Sequence, residues 1–132
     1  MIGLDTNILL RLVLQDDPQQ SRQVLDLFSR LGDIGPGYVS CISLMEFAWF
    51  LRSRIKLDRN KVMSAISDLL DSEDIELEDE SIVEEALAAM AETTAEFADI
   101  FIAFRNQRSG CRATLTFDYK AARSVPGMEL LQ

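Results

Sequence analysis

Four acidic residues lie in largely apolar stretches of this sequence and could act together: Asp5, Glu46, Asp99 and Asp118. Asp99 is the clearest case, because it is the only polar residue between Phe97 and Phe104. The stretch FADIFIAF has apolar residues at the i, i+3, i+4 and i+7 spacing of a helix that faces a core. A carboxylate in that setting is costly to desolvate unless a positive charge meets it. Asp99 therefore indicates a bound partner.

Taken one at a time, the acids also have structural interpretations. Asp5 and Asp118 can cap helices, and Glu46 can lie at the polar border of an amphipathic helix. Taken together, clustered carboxylates repel one another, and one or more pKa values rise unless cations occupy the space between them. Mg²⁺ or Mn²⁺ relieves that repulsion with oxygen ligands and retained waters. Such a site performs phosphodiester hydrolysis by activating a bound water and neutralising charge on the phosphate.

Other catalytic machinery is missing from the sequence. The chain has no histidine, which excludes Ser-His-Asp and Cys-His nucleophilic sites and histidine-containing zinc sites. Neither a GxxxxGK[ST] loop nor a GxGxxG turn occurs. A phosphatase with Asp5 as nucleophile is disfavoured, since its second aspartate is expected at position 7, where this chain has Asn7. Carboxylates with a metal are the chemistry that remains.

Length and composition predict one compact domain over residues 1–132. Apolar residues make up 48% of the chain and charged residues 27%, which is ordinary for a globular protein. No apolar run reaches about 18 residues, and Asp5 interrupts the first apolar segment, so we expect neither a membrane span nor a signal peptide. Cys41 and Cys111 are predicted to be buried thiols in a reducing, cytoplasmic setting.

The net charge of −9 is concentrated in one segment. Residues 68–85 hold ten acids and no base, so the other 114 residues carry −9 − (−10) = +1. We predict that this segment is a solvated acidic edge. The overall charge therefore neither supports nor excludes a nucleic-acid substrate.

Short apolar segments alternate with longer segments of helical periodicity. We predict strands at MIGLD, near 38–39, near 75–77, at CRATLTFD and at MELLQ, and helices over ILLRLVL, DDPQQSRQVLDLFSRL, LMEFAWFLRSRI, 59–71, 81–92 and around Asp99. This alternation is typical of an α/β fold with a parallel sheet covered on both faces. Because such sheets form their sites beyond the carboxyl ends of the strands, Asp5 and Asp118 should share one edge.

The segments MIGLDTNILLRLVL, VSCISLMEFAWFL, FADIFIA and TLTFD resemble, in order and context, the acidic motifs of PIN-domain ribonucleases, and most closely VapC-like toxins of toxin–antitoxin pairs. The resemblance implies a single PIN-like domain over 1–132, a three-layer α/β/α sandwich with a central parallel sheet of about five strands. It also implies Mg²⁺- or Mn²⁺-dependent cleavage of RNA, often in a loop of tRNA or rRNA.

The resemblance assigns roles to particular residues. Asp5, Glu46 and Asp99 match the acidic triad that holds the metal, and Asp118 matches a fourth, more variable acid. Three polar residues match supporting positions: Thr6, Asn7 and Thr116. Family members commonly dimerise and are silenced by an antitoxin, for which Met45, Trp49 and Phe50 are the predicted binding surface. The alternative is a PIN-like domain that binds a partner without catalysis.

Overall fold

The computed structural model describes all 132 residues and contains seven helices and five strands. The elements follow one another as β1 (Ile2–Gly3), α1 (Thr6–Leu14), α2 (Pro18–Ile34), β2 (Gly37–Val39), α3 (Cys41–Ser53), α4 (Arg59–Asp71), β3 (Ile75–Leu77), α5 (Glu80–Glu92), α6 (Phe97–Arg108), β4 (Thr114–Thr116), α7 (Tyr119–Ser124) and β5 (Met128–Leu130). Every strand pair is parallel, which confirms the predicted α/β class with parallel strands. None of the helices combines the length and apolar character that crossing a bilayer requires.

The chain divides into two compact units, residues 1–80 and 81–132. In the N-terminal unit, β2 lies between β1 and β3 in a three-stranded parallel sheet. Gly3 pairs with Tyr38, and Val39 pairs with Leu77, so the three strands end at one edge. The core of this unit is built from side chains with essentially no exposure, among them Leu9, Leu44, Phe47, Leu51 and Ile66.

The C-terminal unit contains α5, α6, α7 and a two-stranded parallel ladder of β4 and β5. Phe97 and Ile100 of α6 are buried, and the ring centroids of Phe97 and Phe101 are 5.9 Å apart. Thr114 pairs with Met128, and β4 contacts both α6 and α7. The predicted apolar stripe of α6 is therefore the face that forms this core, although Phe104 is only half-buried.

Aspartate and serine side chains fix where several helices begin. Asp17, Ser40 and Asp58 accept hydrogen bonds from backbone N–H groups in the first turns of α2, α3 and α4. These bonds satisfy donors that have no partner within the helix. At the other end of α2, Gly35 has φ +103°, a conformation that L side chains rarely adopt, and its N–H donates to the Leu31 carbonyl at 3.0 Å.

The structure corrects several predictions of burial. The apolar segment MIGLD predicts a buried first strand, but Ile2 is 37% exposed because β1 is a two-residue edge strand. Helical spacing predicts Leu25 and Ile55 on buried stripes, but both are exposed. For Ile55 the reason is that α3 ends before it, at Ser53. Cys111 is exposed in the turn that precedes β4, whereas Cys41 is buried as predicted.

Candidate active site

Asp5 lies where β1 turns into α1 in the N-terminal unit. Its carboxylate Oδ1 accepts a hydrogen bond of 2.8 Å from the Thr6 backbone N–H, which makes Asp5 the N-cap of α1. The side chain is exposed. This single bond orients the carboxylate and leaves its second oxygen, Oδ2, without a protein partner. The adjacent Thr6 is buried, and its Oγ1 makes no hydrogen bond.

Glu46 is exposed on α3, between the buried side chains of Leu44 and Phe47. It forms no ion pair and no side-chain hydrogen bond. The helix begins at Cys41 immediately after β2, the strand that pairs with β1. Helices α1 and α3 also pack against each other. Asp5 and Glu46 are therefore carried by neighbouring, packed elements that start at the same edge of the N-terminal sheet.

Asp99 lies in the first turn of α6 and is half-buried, between the buried residues Phe97 and Ile100. Its pKa is raised above the ordinary aspartate value, first by burial and then by the negative charges of Asp118 and Glu96. The side chain has neither a hydrogen bond nor an ion pair with a basic residue. The sequence predicts that the Asp99 carboxylate is costly to desolvate, and its surroundings in the structure likewise disfavour its ionised form.

Asp118 is brought to Asp99 by the turn between β4 and α7. Its Oδ1 accepts a 3.0 Å hydrogen bond from the Ala121 N–H as the N-cap of α7, while its own N–H donates to Thr116 Oγ1 at 3.0 Å. Thr116 therefore holds the backbone of Asp118, and the cap holds one carboxylate oxygen. The other oxygen remains available on the side chain that repels Asp99.

Two of the predicted acids, both in the C-terminal unit, are brought together: Asp118 is close enough to Asp99 for its charge to disfavour ionisation of Asp99. In the N-terminal unit, Asp5 and Glu46 are both exposed and are carried by elements that begin at one edge of the sheet. Asn7, predicted beside them, is exposed and lines a separate cleft of about 320 Å³ with Arg11 and Gln20. Thr6 contributes its backbone N–H to the cap rather than its hydroxyl.

A second group of possible metal ligands lies in the N-terminal unit and is not apparent from the sequence. The Sγ of Cys41 and one carboxylate oxygen each of Glu78 and Asp79 lie within 4.8 Å of one another. Glu78 Oε1 also accepts a 2.8 Å hydrogen bond from the Cys41 N–H, so it stabilises the start of α3. Glu78 and Asp79 were assigned to the solvated acidic edge, but both are half-buried. Their positions just after β3, beside the end of β2, were the available signal.

A partly apolar face of α3 is exposed to solvent. Ile42 is 70% exposed and Trp49 is 56% exposed, while Met45 and Phe50 are half-buried. Ile42, Met45 and Trp49 follow helical spacing, so they lie along one side of α3. Exposed aromatic and aliphatic side chains that adjoin one another are typical of interaction surfaces.

The family model for the PIN domain matches residues 2–125, a range that includes all four predicted acids. This chain belongs to the PIN domain family. PIN domains are generally nucleases, which places the carboxylates described above in a family that acts on nucleic acids. No significant match was found among curated proteins.

The donors in this PIN domain fit a hard divalent cation. Asp99 and Asp118 repel each other with no basic side chain between them to form an ion pair, and each capping aspartate has one carboxylate oxygen outside its cap bond. Carboxylate oxygens are the donors that Mg²⁺ and Mn²⁺ prefer. A bound cation would relieve the repulsion between Asp99 and Asp118, and this relief would contribute to the affinity for the cation.

Proposed function

We propose that this chain is a metal-dependent endoribonuclease that hydrolyses RNA phosphodiester bonds. The observation that carries the proposal is the position of Asp99 in this PIN domain: it is half-buried in the first turn of α6, between Phe97 and Ile100. Burial and the charge of Asp118 raise its pKa. A structural acid would be expected to have an ion pair or several hydrogen bonds. Asp99 has neither, so a ligand is the best explanation for a carboxylate at this position, and Mg²⁺ is the ligand of suitable charge, with Mn²⁺ as an alternative.

The four acids have the role of metal ligands in this proposal, and none acts as a covalent nucleophile. A bound divalent cation supplies a water of lowered pKa and neutralises charge on the phosphate and the leaving oxygen. Asp5 and Asp118 are pre-oriented for ligation because their cap bonds restrict the carboxylates. Thr116 is a positioning residue, because its hydroxyl oxygen accepts a hydrogen bond from the backbone N–H of Asp118.

The direct test is cleavage of a mixed RNA substrate by the purified chain with Mg²⁺, with EDTA, and with the Asp99→Asn variant. The proposal predicts cleavage with Mg²⁺ only, leaving 5′-phosphate and 3′-hydroxyl ends, and loss of cleavage in Asp99→Asn. Asp58→Asn is a control for the same change of charge, since Asp58 is an exposed aspartate at the N-cap of α4 and lies outside the predicted site. Undiminished cleavage in EDTA would contradict the metal mechanism.

We further propose that the nuclease is the toxin of a type II toxin–antitoxin pair, acts in the cytoplasm and forms a homodimer. The exposed face of α3 formed by Ile42, Met45 and Trp49, with the half-buried Phe50 beside it, supports a protein partner. A growth assay tests the toxin role: expression should arrest bacterial growth, and Asp5→Ala should abolish the arrest. Normal growth with the wild-type chain, at an expression level verified by immunoblot, would contradict it.

The same face of α3 also favours a second candidate, a PIN domain that binds a partner without catalysis. This candidate predicts that Mg²⁺ does not stabilise the fold, because it has no metal site to fill. A thermal melt with and without Mg²⁺ therefore separates the two functions before any RNA substrate is identified.

A further inference from the structure

A polar cavity of about 500 Å³ opens in the C-terminal unit beside Asp118. Its lining combines two cations, three aliphatic hydroxyls and one phenol: Thr93, Thr94, Tyr119, Lys120, Arg123 and Ser124. The volume falls in the range of about 300–1,000 Å³ that is usual for small-ligand sites. Neither the catalytic carboxylates nor the surface of α3 is part of this lining.

One wall of the cavity is a single face of α7. Tyr119, Lys120, Arg123 and Ser124 stand at i, i+1, i+4 and i+5, which brings their side chains to one side of the helix. Asp118 is the N-cap of the same helix, so Tyr119 and Lys120 follow it directly in the chain. The opposite wall, Thr93 and Thr94, immediately precedes the segment that leads into α6 and Asp99. Both walls are therefore continuous with elements that carry a predicted ligand.

The aromatic ring in the cavity already has a cation on one side. The guanidinium carbon of Arg123 lies 5.6 Å from the ring centroid of Tyr119, a cation–π distance. Tyr119 is nevertheless 63% exposed, which leaves ring surface free for a second planar group. A nucleobase is such a group, since every base can stack on an aromatic face.

The charges in the cavity suit phosphate. Lys120 and Arg123 are exposed, and neither forms an ion pair. No acidic residue is among the lining residues, although the chain as a whole carries −9. Lys120 and Arg123 are cations of the kind that proteins use to contact phosphate oxygens. The hydroxyls of Thr93 and Ser124 already donate to the carbonyls of Ala89 and Lys120, so the two cations are the groups that would hold the phosphate.

We infer that this cavity, the α7 pocket, holds a nucleotide of single-stranded RNA next to the phosphodiester that is cleaved. The base stacks on Tyr119, and the backbone phosphates contact Lys120 and Arg123. The inference rests on the proposed nuclease function, which it deepens by naming the form of the substrate. Because stacking is tolerant of sequence, the α7 pocket favours an unpaired strand rather than a particular base.

The test measures binding of a short fluorescein-labelled single-stranded RNA by fluorescence anisotropy, in EDTA so that no cleavage intervenes, across a salt series. Tyr119→Ala should weaken binding by about 5- to 150-fold, the range of one lost base stack, while Tyr119→Phe keeps wild-type affinity. In Lys120→Gln/Arg123→Gln, the slope of log K against log salt should become shallower by about 1.4, or about 0.7 for each phosphate contact.

The control for charge is Arg22→Gln/Arg112→Gln, which removes two exposed cations that do not line the pocket. Equal changes in affinity and slope for the two double variants would overturn the inference, as would unchanged binding by Tyr119→Ala. So would binding of a labelled poly-glutamate peptide that depends on Lys120 and Arg123 while RNA binding does not. That outcome would assign the α7 pocket to an acidic protein segment.

The pocket and the nuclease function fail in distinguishable ways. RNA that binds through Tyr119 but is never cleaved with Mg²⁺ supports the α7 pocket and contradicts the proposed function. RNA that is cleaved with Mg²⁺, but with no effect of Tyr119→Ala on binding or on KM, supports the function and overturns the pocket.

Discussion

The two units of this PIN domain use the same local arrangement at a strand end, with different consequences. In the N-terminal unit, β1 ends at Asp5, which caps α1, and in the C-terminal unit, β4 ends at Asp118, which caps α7. Beside Asp118 lies a second carboxylate, that of the half-buried Asp99 of α6, whose pKa the charge of Asp118 raises. In the N-terminal unit, Asp5 and Glu46 are both exposed.

Helix capping explains the positions of Asp5 and Asp118 but not that of Asp99. A helix N-cap accounts for an aspartate at a strand end, so capping alone is sufficient for the backbone contacts of Asp5 and Asp118. No such local requirement accounts for Asp99, which lies inside the first turn of α6. Its side chain makes no hydrogen bond, and the negative charge of Asp118 lies nearby. The C-terminal unit therefore holds the stronger evidence for a ligand site.

The largest effect we expect comes from the two cores. Phe47→Ala in the N-terminal unit and Phe97→Ala in the C-terminal unit each remove a buried ring and should lower the free energy of unfolding by about 3–5 kcal/mol. If residues 1–132 form one domain, as we propose, urea unfolding of each variant shows a single transition at a lower midpoint. Two transitions, each shifted by only one substitution, would show that the units unfold independently.

The second-largest effect is on RNA cleavage, and it concerns Asp99, the acid that capping does not explain. Asp99→Asn should reduce RNA cleavage at least about 100-fold, or about 2.7 kcal/mol of transition-state stabilisation, because loss even of outer-shell partners of a metal costs 10–100-fold. Initial rates with Mg²⁺ in excess measure this loss. If Asp99→Asn cleaved as fast as the Asp58→Asn control, Asp99 would have no part in the reaction.

The two capping aspartates should separate stability from activity. Asp5→Ala and Asp118→Ala each remove a cap bond and should cost about 1 kcal/mol of stability, whereas the Asn variants keep an acceptor and cost less. Asp58→Ala should be as destabilising as either. Chemical denaturation and cleavage assays on the same samples measure both quantities. Only the variants at Asp5 and Asp118 should lose cleavage. An equal loss of cleavage in Asp58→Ala would mean that Asp5 and Asp118 act only as helix caps.

The pKa of Asp99 gives a smaller, pH-dependent effect. Because that pKa is raised in the folded state, the folded chain retains a proton that the unfolded chain loses near pH 3.9, the usual value for aspartate. Stability therefore falls as pH rises from there through the folded pKa. In EDTA, Asp99→Asn should melt at a slightly higher temperature than wild type at neutral pH and equally at acidic pH. The opposite order at neutral pH would mean that a favourable contact holds Asp99.

The smallest effect on the chain itself is expected on α3. Trp49→Ala should change the free energy of unfolding by no more than about 0.5 kcal/mol, because the indole is largely exposed. Cleavage should be unaffected, while binding of the partner is lost. Thermal melts and co-purification with the proposed antitoxin measure the two outcomes. A large loss of stability would indicate that Trp49 packs within the fold.

Hydrophobic periodicity predicted most of the fold, including α4 at 59–71 and β3 at 75–77, because both have clear patterns and flanking caps. The failures are at segment ends, where local pattern does not determine burial. Ile55 continues the stripe of α3, but the helix stops at Ser53, and Cys111 lies in a turn rather than in a strand.

Within the candidate site, Asp99 could be recognised from sequence, since a single acid in an apolar helix is rare and has a definite energetic cost. The group of Cys41, Glu78 and Asp79 could not be recognised in this way. Its members follow the ends of β2 and β3, which are adjacent only through the strand order β1-β2-β3, and that order is a property of the tertiary fold. The α7 pocket was missed for a related reason, because Thr93 and Thr94 are distant from α7 in sequence.

The most direct test of the central claim, that these acids bind a divalent cation, is a Mg²⁺ titration followed by thermal unfolding of the wild type and of Asp99→Asn. We expect that the wild type is stabilised, by about 2.7 kcal/mol when free Mg²⁺ is 100 times its Kd, and that Asp99→Asn gains little. A wild type whose melting temperature does not respond to Mg²⁺ or Mn²⁺ would rule out the cation site. So would an equal response in Asp99→Asn.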